Sequence, residues 1–415
     1  MAGRRVVWLI GCVGLSVLGG CEDGAEVPPF ATTIDSAGTR IVSYDLSGVD
    51  VQSWRDVGEP DLHIGVVDGA AAYSFSVVGD VVVADDGSIV VTDRRSRQIR
   101  VFDNSGTHLR SFGRAGDGPG EFASSPWIAG VAGDSVFAFD SRSARVTAFS
   151  LEGELLEEVS VRSETVGRPL LALRQEDGTY LTRSRWINPE TANEIHDLQL
   201  VVDSMVVERL GADGGFLDTV FVAAETPRAR SIQGSPDTGF RVRQVVPPFL
   251  PSAHLISVSS TPVFAYSEDF DVALGIGDEP VPQRLRVSGV RHPATGAELR
   301  AIQEAILVAD LGEDGITPQT RQVLEYIPEQ PPAFRDLRVS AAGNLWISLY
   351  DPDRANETTW LVFTLDGDLR GSVRTPPGFS LRSIEASHVI GVVTDDFDVP
   401  FIVRHPLLPP GPPVG

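Results

Sequence analysis

Residues 86–122 read DGSIVVTDRRSRQIRVFDNSGTHLRSFGRAGDGPGEF, and this stretch decides the fold. Short apolar runs alternate in it with turns that contain glycine, the pattern of β-strands joined by hairpins. A phosphate-binding reading of the final glycine cluster would need a lysine or G-x-G-x-x-G spacing before a helix. The chain contains no lysine, and no helical period follows the cluster. The cluster is therefore interpreted as an irregular connection between two sheets.

The turn after the second run recurs along the chain and defines a repeat. Each copy ends one apolar run and begins another, and the first two copies lie 47 residues apart. Four short strands per unit of about 45 residues is the period of a β-propeller. The copies of this turn end at Gly106, Gly153, Gly214 and Gly367.

The repeats predict an all-β fold, a six-bladed β-propeller of four-stranded antiparallel blades. The sixth blade is one strand short, and residues 39–45 are predicted to supply that strand and to close the ring from the N-terminal side. A ring of seven blades is the alternative, because residues 186–204 lengthen the third repeat. The predicted blades cover residues 76–113, 126–161, 168–221, 254–288, 334–374 and 381–403.

The N-terminal residues predict export. Arg4 and Arg5 precede an apolar run over 6–18, which is too short to span a bilayer, and Leu-Gly-Gly-Cys21 follows. That ending resembles the lipobox of bacterial lipoproteins, whose cysteine becomes the acylated first residue of the mature chain. The alternative is an ordinary signal peptide with an accidental cysteine. The predicted segments are a lipoprotein signal peptide at 1–20, a tether at 21–38, the propeller at 39–404 and a proline-rich tail at 405–415.

Composition limits the partners. The formal net charge is −23, so nucleic acid and anionic lipid surfaces are unfavourable partners. Contact with the membrane is expected through the lipid anchor only, with the folded part facing the periplasm or the cell surface. Besides Cys21, the chain has only Cys12, in the predicted signal peptide. If Cys21 is the lipid anchor, the mature chain has no thiol left for a disulfide, a metal site or nucleophilic catalysis.

The order of the motifs in residues 76–122 resembles the NHL-type repeat: Asp-Gly-Ser-Ile-Val-Val-Thr-Asp, then Ile-Arg-Val-Phe-Asp-Asn-Ser-Gly, then Phe-Gly-x-x-Gly-x-Gly-Pro-Gly-Glu-Phe. The mature chain looks like the bacterial six-bladed β-propeller lipoproteins that carry such repeats. This resemblance implies the fold and export more than an activity. In such a fold Phe122 is expected to pack between adjacent blades.

One predicted insertion, at about 291–328, is helical. Thr295 and Glu298 form a capping box, and the apolar residues 299, 302, 306 and 309 follow at helical spacing. Thr317 and Pro318 are expected to begin a second short helix. The pair is predicted to cover a rim of the propeller or the mouth of its channel, either as a packing cap or as a lid over a ligand.

Two charged patterns occupy turns between the second and third strands of blades. The first has aspartates at equivalent places, Asp93 and Asp140, which are expected to accept backbone N–H bonds. The neighbouring arginines are either solvated or form a face for an anionic ligand such as a sugar acid. These candidate ligand-binding residues are Arg94, Arg95, Arg97, Arg142 and Arg145.

The second pattern is acidic and is either a pair of acidic turns or a calcium site, since calcium takes six to eight oxygen ligands. No ordered ligand spacing appears in either copy, so no cofactor is predicted. The candidate cation residues are Glu268, Asp269, Asp271, Asp395, Asp396 and Asp398.

The sequence predicts no catalytic or metal-binding residue. None of the seven histidines has metal-ligand spacing, and neither H-E-x-x-H nor G-x-S-x-G occurs. The favoured function is a binding module at the cell envelope, for an envelope protein, a small molecule or a glycan. The alternative is a propeller hydrolase or lyase, similar to lactonases, with a divalent cation at the channel mouth. An enzyme should aim several Asp, Glu, Asn or His side chains from the inner strands at one point on the axis.

Overall fold

The computed structural model describes residues 31–163, 168–187, 198–235, 239–277, 281–312, 316–353 and 356–409. The predicted signal peptide and Cys21 lie outside these residues. Most of the described chain forms short antiparallel strands joined in sequence order, as expected for up-and-down blades. None of the helices in these ranges has the length and apolar character needed to cross a membrane.

The six predicted blades are present, and each begins with the strand nearest the axis. Blade one contains β5 (Val78–Val83), β6 (Ile89–Asp93), β7 (Gln98–Phe102) and β8 (His108–Phe112). Blade two contains β9 (Trp127–Ala132), β10 (Ser135–Asp140), β11 (Arg145–Ser150) and β12 (Leu155–Ser160). Blade three contains β13 (Leu171–Arg174), β14 (Tyr180–Trp186), β16 (Ser204–Leu210) and β17 (Phe216–Ala224).

The second half of the ring is built in the same way. Blade four contains β20 (Ala253–Val258), β21 (Thr261–Tyr266), β22 (Asp271–Leu274) and β23 (Gln283–Ser288). Blade five contains β24 (Phe334–Val339), β25 (Leu345–Leu349), β26 (Thr358–Phe363) and β27 (Leu369–Thr375). Blade six contains β28 (Ser380–Ile384), β29 (His388–Thr394) and β30 (Pro400–Leu408), and two N-terminal strands complete it.

Apolar side chains fill every interface between neighbouring blades. One buried cluster joins blades one and two, a second joins blades two and three, and a third joins blades three and four. Further clusters join blades four and five, blades five and six, and blades six and one. The ring is therefore closed by six interfaces. Because neighbours cover both faces of each sheet, the middle strands are buried at most positions.

An N-terminal segment closes the ring, but the predicted strand was wrong. The strand β4 (Leu62–Ile64) pairs antiparallel with β30, and β3 (Asp56–Val57) pairs with the end of β30. Ile64 is 1% exposed and packs with residues of blades six and one. A three-residue strand does not suggest such burial from its sequence. The buried apolar contacts of Ile64 stabilise β4 as the closing strand.

The residues predicted to close the ring serve blade four instead. The strand β2 (Thr39–Asp45) pairs in parallel with β23, and β1 (Ala31–Ser36) forms a hairpin with β2. Val42 and Tyr44 are buried in the cluster between blades four and five, which explains the apolar pattern of this strand. The predicted tether is thus shortened, since β1 begins at residue 31. The predicted tail is shortened too, because β30 extends to 408.

The glycine cluster GRAGDGPGEF connects blade one to blade two, as predicted. Phe122 is fully buried in the cluster between these blades. The N–H of Phe122 donates to the carbonyl oxygen of Arg114 (2.8 Å). A Cβ at Gly113 would lie 2.5 Å from the Phe122 ring, and this glycine has φ of 76°. Glycine is therefore required where the chain turns back beside the ring.

Two helices and a small sheet lie outside the six blades. The helix α1 (Gly296–Leu311) begins with the predicted capping box of Thr295 and Glu298, and α2 (Pro318–Leu324) follows its N-cap Thr317. The small sheet contains β15 (Gln199–Val201), β18 (Arg228–Ser235) and β19 (Gly239–Val245).

The apolar stripe predicted on α1 was only partly correct. Leu299 is fully buried, and Leu307 packs in the same cluster. Ile306 is 42% exposed and Ala309 is also exposed, so the buried face of α1 is rotated from the predicted one. The rotation arises because Leu299 and Leu307 pack against Leu324 of α2 and its neighbours Ile327 and Phe249. The small sheet contacts Val323 of α2 instead, and the Tyr326 hydroxyl donates to the Leu198 carbonyl oxygen.

Candidate functional site

One face of the ring collects most of the candidate residues. In an up-and-down blade, the turns between strands two and three lie at the same end as the connections between blades. We call this side the connection face. It bears Arg94 and Arg142 in the turns of blades one and two, and Asp269 and Asp395 in those of blades four and six. The helical pair lies in the connection between blades four and five and belongs to the same face.

Irregular pairing brings two aspartates to the axis. The register between strands one and two shifts beside Asp80 in blade one and beside Asp336 in blade five. In both blades the aspartate N–H donates to a hydroxyl oxygen of strand two, to Thr92 Oγ1 in blade one (2.8 Å) and to Ser348 Oγ in blade five (2.9 Å). Such bulges redirect side chains, and here each bulge lies at an aspartate that is the third residue of its inner strand.

Arginines from three blades act on these aspartates. Arg382 comes from a register shift in the inner strand of blade six, Arg338 from the inner strand of blade five, and Arg94 from the second turn of blade one. Their positive charges favour ionisation of Asp80, although burial dominates and raises its pKa. The side chains of Asp336 and Arg338 pair at 2.8 Å and remain about one-third exposed, at 32% and 34%. Solvent therefore reaches this pair.

Arg382 and Arg94 are held differently from Arg338. Among the described residues, no carboxylate oxygen lies within 4.0 Å of either guanidinium group. The Arg382 Nε is buried without a hydrogen-bond partner, and burial lowers the pKa of this group. The Arg94 guanidinium lies over the Trp127 ring at 4.6 Å from its centroid, a cation–π contact. Both groups keep hydrogen-bonding capacity for a ligand.

His254 adds a titratable ring from blade four. Its Nε2 is buried without a hydrogen-bond partner, and its ring contacts the Phe334 ring (centroids 5.3 Å apart). Burial lowers the pKa of His254 to about 4, against the opposing effect of Asp336. This histidine is neutral at physiological pH. We call Asp80, Arg94, His254, Asp336, Arg338 and Arg382 the axial cluster.

The axial cluster has a net positive charge in a strongly acidic protein. Three guanidinium groups face two carboxylates, and the histidine is neutral. The raised pKa of Asp80 favours its neutral form, which would increase the positive charge. The arrangement suits an anion that enters the channel from the connection face, because guanidinium groups bind carboxylates in a planar, forked geometry.

The arginines predicted from the sequence are divided between two roles. Arg97 donates to the carbonyl oxygen of Phe122 (3.1 Å), and Arg145 donates to that of Glu121 (2.7 Å) and pairs with Glu158. These two arginines hold the glycine-rich connection. Arg95 and Arg142 are exposed, and only Arg94 belongs to the axial cluster. The two turn aspartates do accept backbone N–H bonds, as expected: Asp93 from Arg95, and Asp140 from Arg142.

The acidic residues predicted from the sequence lie in two separate turns. Asp271 pairs with Arg284 and Arg286, each at 2.9 Å, and Asp269 pairs with Arg291 at 3.3 Å. In blade six, Asp395 accepts N–H bonds within its own turn, from residues 397 and 399. Within the described ranges, no group of three or more His, Cys, Asp or Glu side chains is placed to hold a metal ion. The remaining members are Glu268, Asp396 and Asp398.

Comparison with known proteins agrees with the propeller architecture. Residues 73–198 match the model of the DUF5128 family, described as "6-bladed beta-propeller". No curated protein matches the sequence. The blades, their six interfaces and this matched segment define the chain as a six-bladed β-propeller.

Several solved structures are similar over most of the chain. A protein from Bacteroides fragilis is 13% identical, with a TM-score of 0.49, and the match covers 88% of this chain and 99% of that one. A member of the DUF4221 family from Bacteroides vulgatus is 9% identical, with a TM-score of 0.47 and coverage of 85% and 97%. A streptogramin B lyase is 11% identical, with a TM-score of 0.37 and coverage of 83% and 96%.

Proposed function

We propose that this protein is an exported, lipid-anchored propeller that binds an anionic ligand, such as a sugar acid, at the axial cluster. The observation that supports the proposal is the convergence of Arg94, Arg338 and Arg382 from three blades in a protein of net charge −23. A solvated surface arginine needs no such arrangement. Burying a guanidinium group without a partner is unfavourable, and a bound anion would offset that cost.

Channel access supports a small ligand over a large one. The exposed third of Asp336 and Arg338 gives a carboxylate a route to the guanidinium groups. Each charge-assisted hydrogen bond in a partly desolvated site contributes about 1.5–3 kcal/mol. Two or three of them give binding in the micromolar range once the cost of association is subtracted. The acidic outer surface disfavours anions elsewhere and so makes the site selective.

The binding test uses residues 22–415, since every described contact lies within residues 31–409. Glucuronate is titrated in a thermal melt, with glucose and an equal ionic strength of sodium chloride as controls. We expect glucuronate alone to raise the melting temperature, because a ligand that binds only the folded state stabilises it. Arg382→Gln should weaken the effect about tenfold or more.

A matched variant separates this site from general charge effects. Arg374→Gln removes one positive charge at an exposed position of the outer strand of blade five, and it should leave the glucuronate response unchanged. Equal responses of the Arg382 and Arg374 variants, or equal stabilisation by sodium chloride, would contradict anion binding at the axial cluster.

The export part of the proposal rests on residues 4–21. Cys21→Ser in the full chain should move the protein from the membrane fraction to the soluble fraction, because its thiol is the proposed acylation site. The propeller should stay folded, since β1 begins only at residue 31. Retention of the variant in the membrane fraction after a high-salt wash would refute lipid attachment at this cysteine.

A further inference from the structure

A cavity of about 540 Å³ lies beneath the helical pair on the connection face. Gln303 and Leu307 of α1 and Val323 of α2 line it from above. Phe334, at the start of the inner strand of blade five, lines it from below. This volume lies within the range of about 300–1,000 Å³ that is typical of small-molecule sites.

The chemistry of the lining is amphipathic. Aliphatic, proline and aromatic residues dominate it, with Phe249 and Tyr350 in edge-to-face contact at 6.5 Å. Arg243 and Arg335 are the charged residues of the lining. The described lining residues include no aspartate and no glutamate, in a chain that has 57 of them. Charge complementarity therefore favours an anion over a cation in this cavity.

Arg335 is fixed in a geometry that leaves donors available. Its guanidinium group lies over the Tyr350 ring, 4.9 Å from the centroid, and its Nη2 donates to the carbonyl oxygen of Asp351. The Asp351 carboxylate accepts instead from the N–H of Asp353 (2.8 Å) and from the side chain of Asn356 (3.0 Å). A guanidinium group that is stacked on one face and tethered at one nitrogen is preorganised to bind an anion with its other nitrogens.

We propose that this cavity binds a small amphipathic organic anion. The apolar body would pack between the helices and Phe249, and the carboxylate or sulfonate would lie against Arg335, with Arg243 near the cavity edge. The helical pair would then act as the lid over a ligand and not only as a packing cap. This site has its own residues, none of which belongs to the axial cluster, so the two proposals can fail separately.

Two fluorescent probes of matched shape test the proposal. Anilinonaphthalenesulfonate has an aromatic body and one anionic group, and N-phenylnaphthylamine has nearly the same body without the charge. Both become fluorescent when their rings leave water. We expect residues 22–415 to bind the sulfonate with saturable one-to-one stoichiometry and to bind the neutral probe more weakly.

Variants of the lining residues test where the probe binds. Val246→Trp fills the cavity from its partly exposed edge and should abolish saturable binding, whereas Val222→Trp, on the outer strand of blade three, should not. Arg335→Gln should weaken sulfonate binding about tenfold or more and leave the neutral probe unaffected. Arg374→Gln is the charge control, and circular dichroism melts verify that each variant is folded.

Three outcomes would overturn the proposal. Saturable sulfonate binding that persists in the folded Val246→Trp variant would place the probe elsewhere. Equal affinity for both probes, unchanged by Arg335→Gln, would show an apolar cavity with no anion recognition. Non-saturable binding shared by all variants would show only general adsorption. A loss of glucuronate binding in the Arg382 variant with normal sulfonate binding would leave this proposal intact.

Discussion

Replacing Ile64 with alanine tests how the ring is closed. Ile64 is 1% exposed and packs where blade six meets blade one. The change removes three carbon atoms from a filled core, a loss that costs about 2–5 kcal/mol. Unfolding entropy of about 2 cal/mol/K per residue, over the roughly 350 residues that the structure describes, gives roughly 0.7 kcal/mol/K. A loss of about 3 kcal/mol therefore lowers the melting temperature by roughly 4 °C.

Hydrogen–deuterium exchange identifies the blade that each N-terminal strand completes. Ile64→Ala should speed exchange in β30, because β4 pairs with residues 402–404. Val42→Ala, at a site that is 2% exposed, should speed exchange in β23 instead. Ile34→Ala, at a site that is 56% exposed, is the control and should change neither. Faster exchange of β30 in the Val42 variant, with no change in the Ile64 variant, would refute closure by β4.

Two further predictions concern titratable groups of the axial cluster. Burial raises the pKa of Asp80, so its charged form reduces stability at neutral pH. Asp80→Asn should therefore melt at a higher temperature than the wild type at pH 7, and the difference should vanish towards pH 4. An equal or lower melting temperature of the variant at pH 7 would contradict this. Burial lowers the pKa of His254 to about 4, so the wild type should lose up to about 3 kcal/mol of stability as the pH falls from about 6.5 to 4. Denaturant titrations should show a smaller loss of stability over this pH range for His254→Phe. Equal losses in the variant and the wild type would contradict this prediction.

Much of the fold follows from local sequence patterns. Glycine-bearing turns at regular spacing marked the blades, since a tight hairpin needs a residue that tolerates positive φ, and Gly106 has φ of 84°. The capping box at Thr295 predicted the start of α1 because it depends only on residues three positions apart. Burial of Phe122 followed from the blade order.

Other features depend on long-range contacts that local patterns do not reveal. Both β2 and β4 contain buried apolar residues, and only their packing partners decide which one meets β30. The buried face of α1 depends on its contacts with α2, Phe249 and Ile327. For these elements the sequence supports more than one arrangement.

The axial cluster was largely missed because its residues come from four blades. Asp80, Asp336 and Arg382 each occupy the third position of an inner strand, in Val-Gly-Asp80-Val, Phe-Arg-Asp336-Leu and Ser-Leu-Arg382-Ser. Polar residues at the third position of several inner strands were the available signal. The sequence instead suggested the turn arginines as ligand-binding residues, and of these only Arg94 belongs to the cluster.

Anomalous diffraction from crystals soaked in selenate is the most direct test of an anion site on the axis. Selenate is a compact anion whose selenium atom gives an unambiguous peak. We expect a peak in the channel with oxygen atoms at hydrogen-bond distance from Arg338 and Arg382, at about 2.7–2.9 Å. A peak at exposed arginines such as Arg374, with none in the channel, would contradict the proposed function and leave the axial cluster as a structural network.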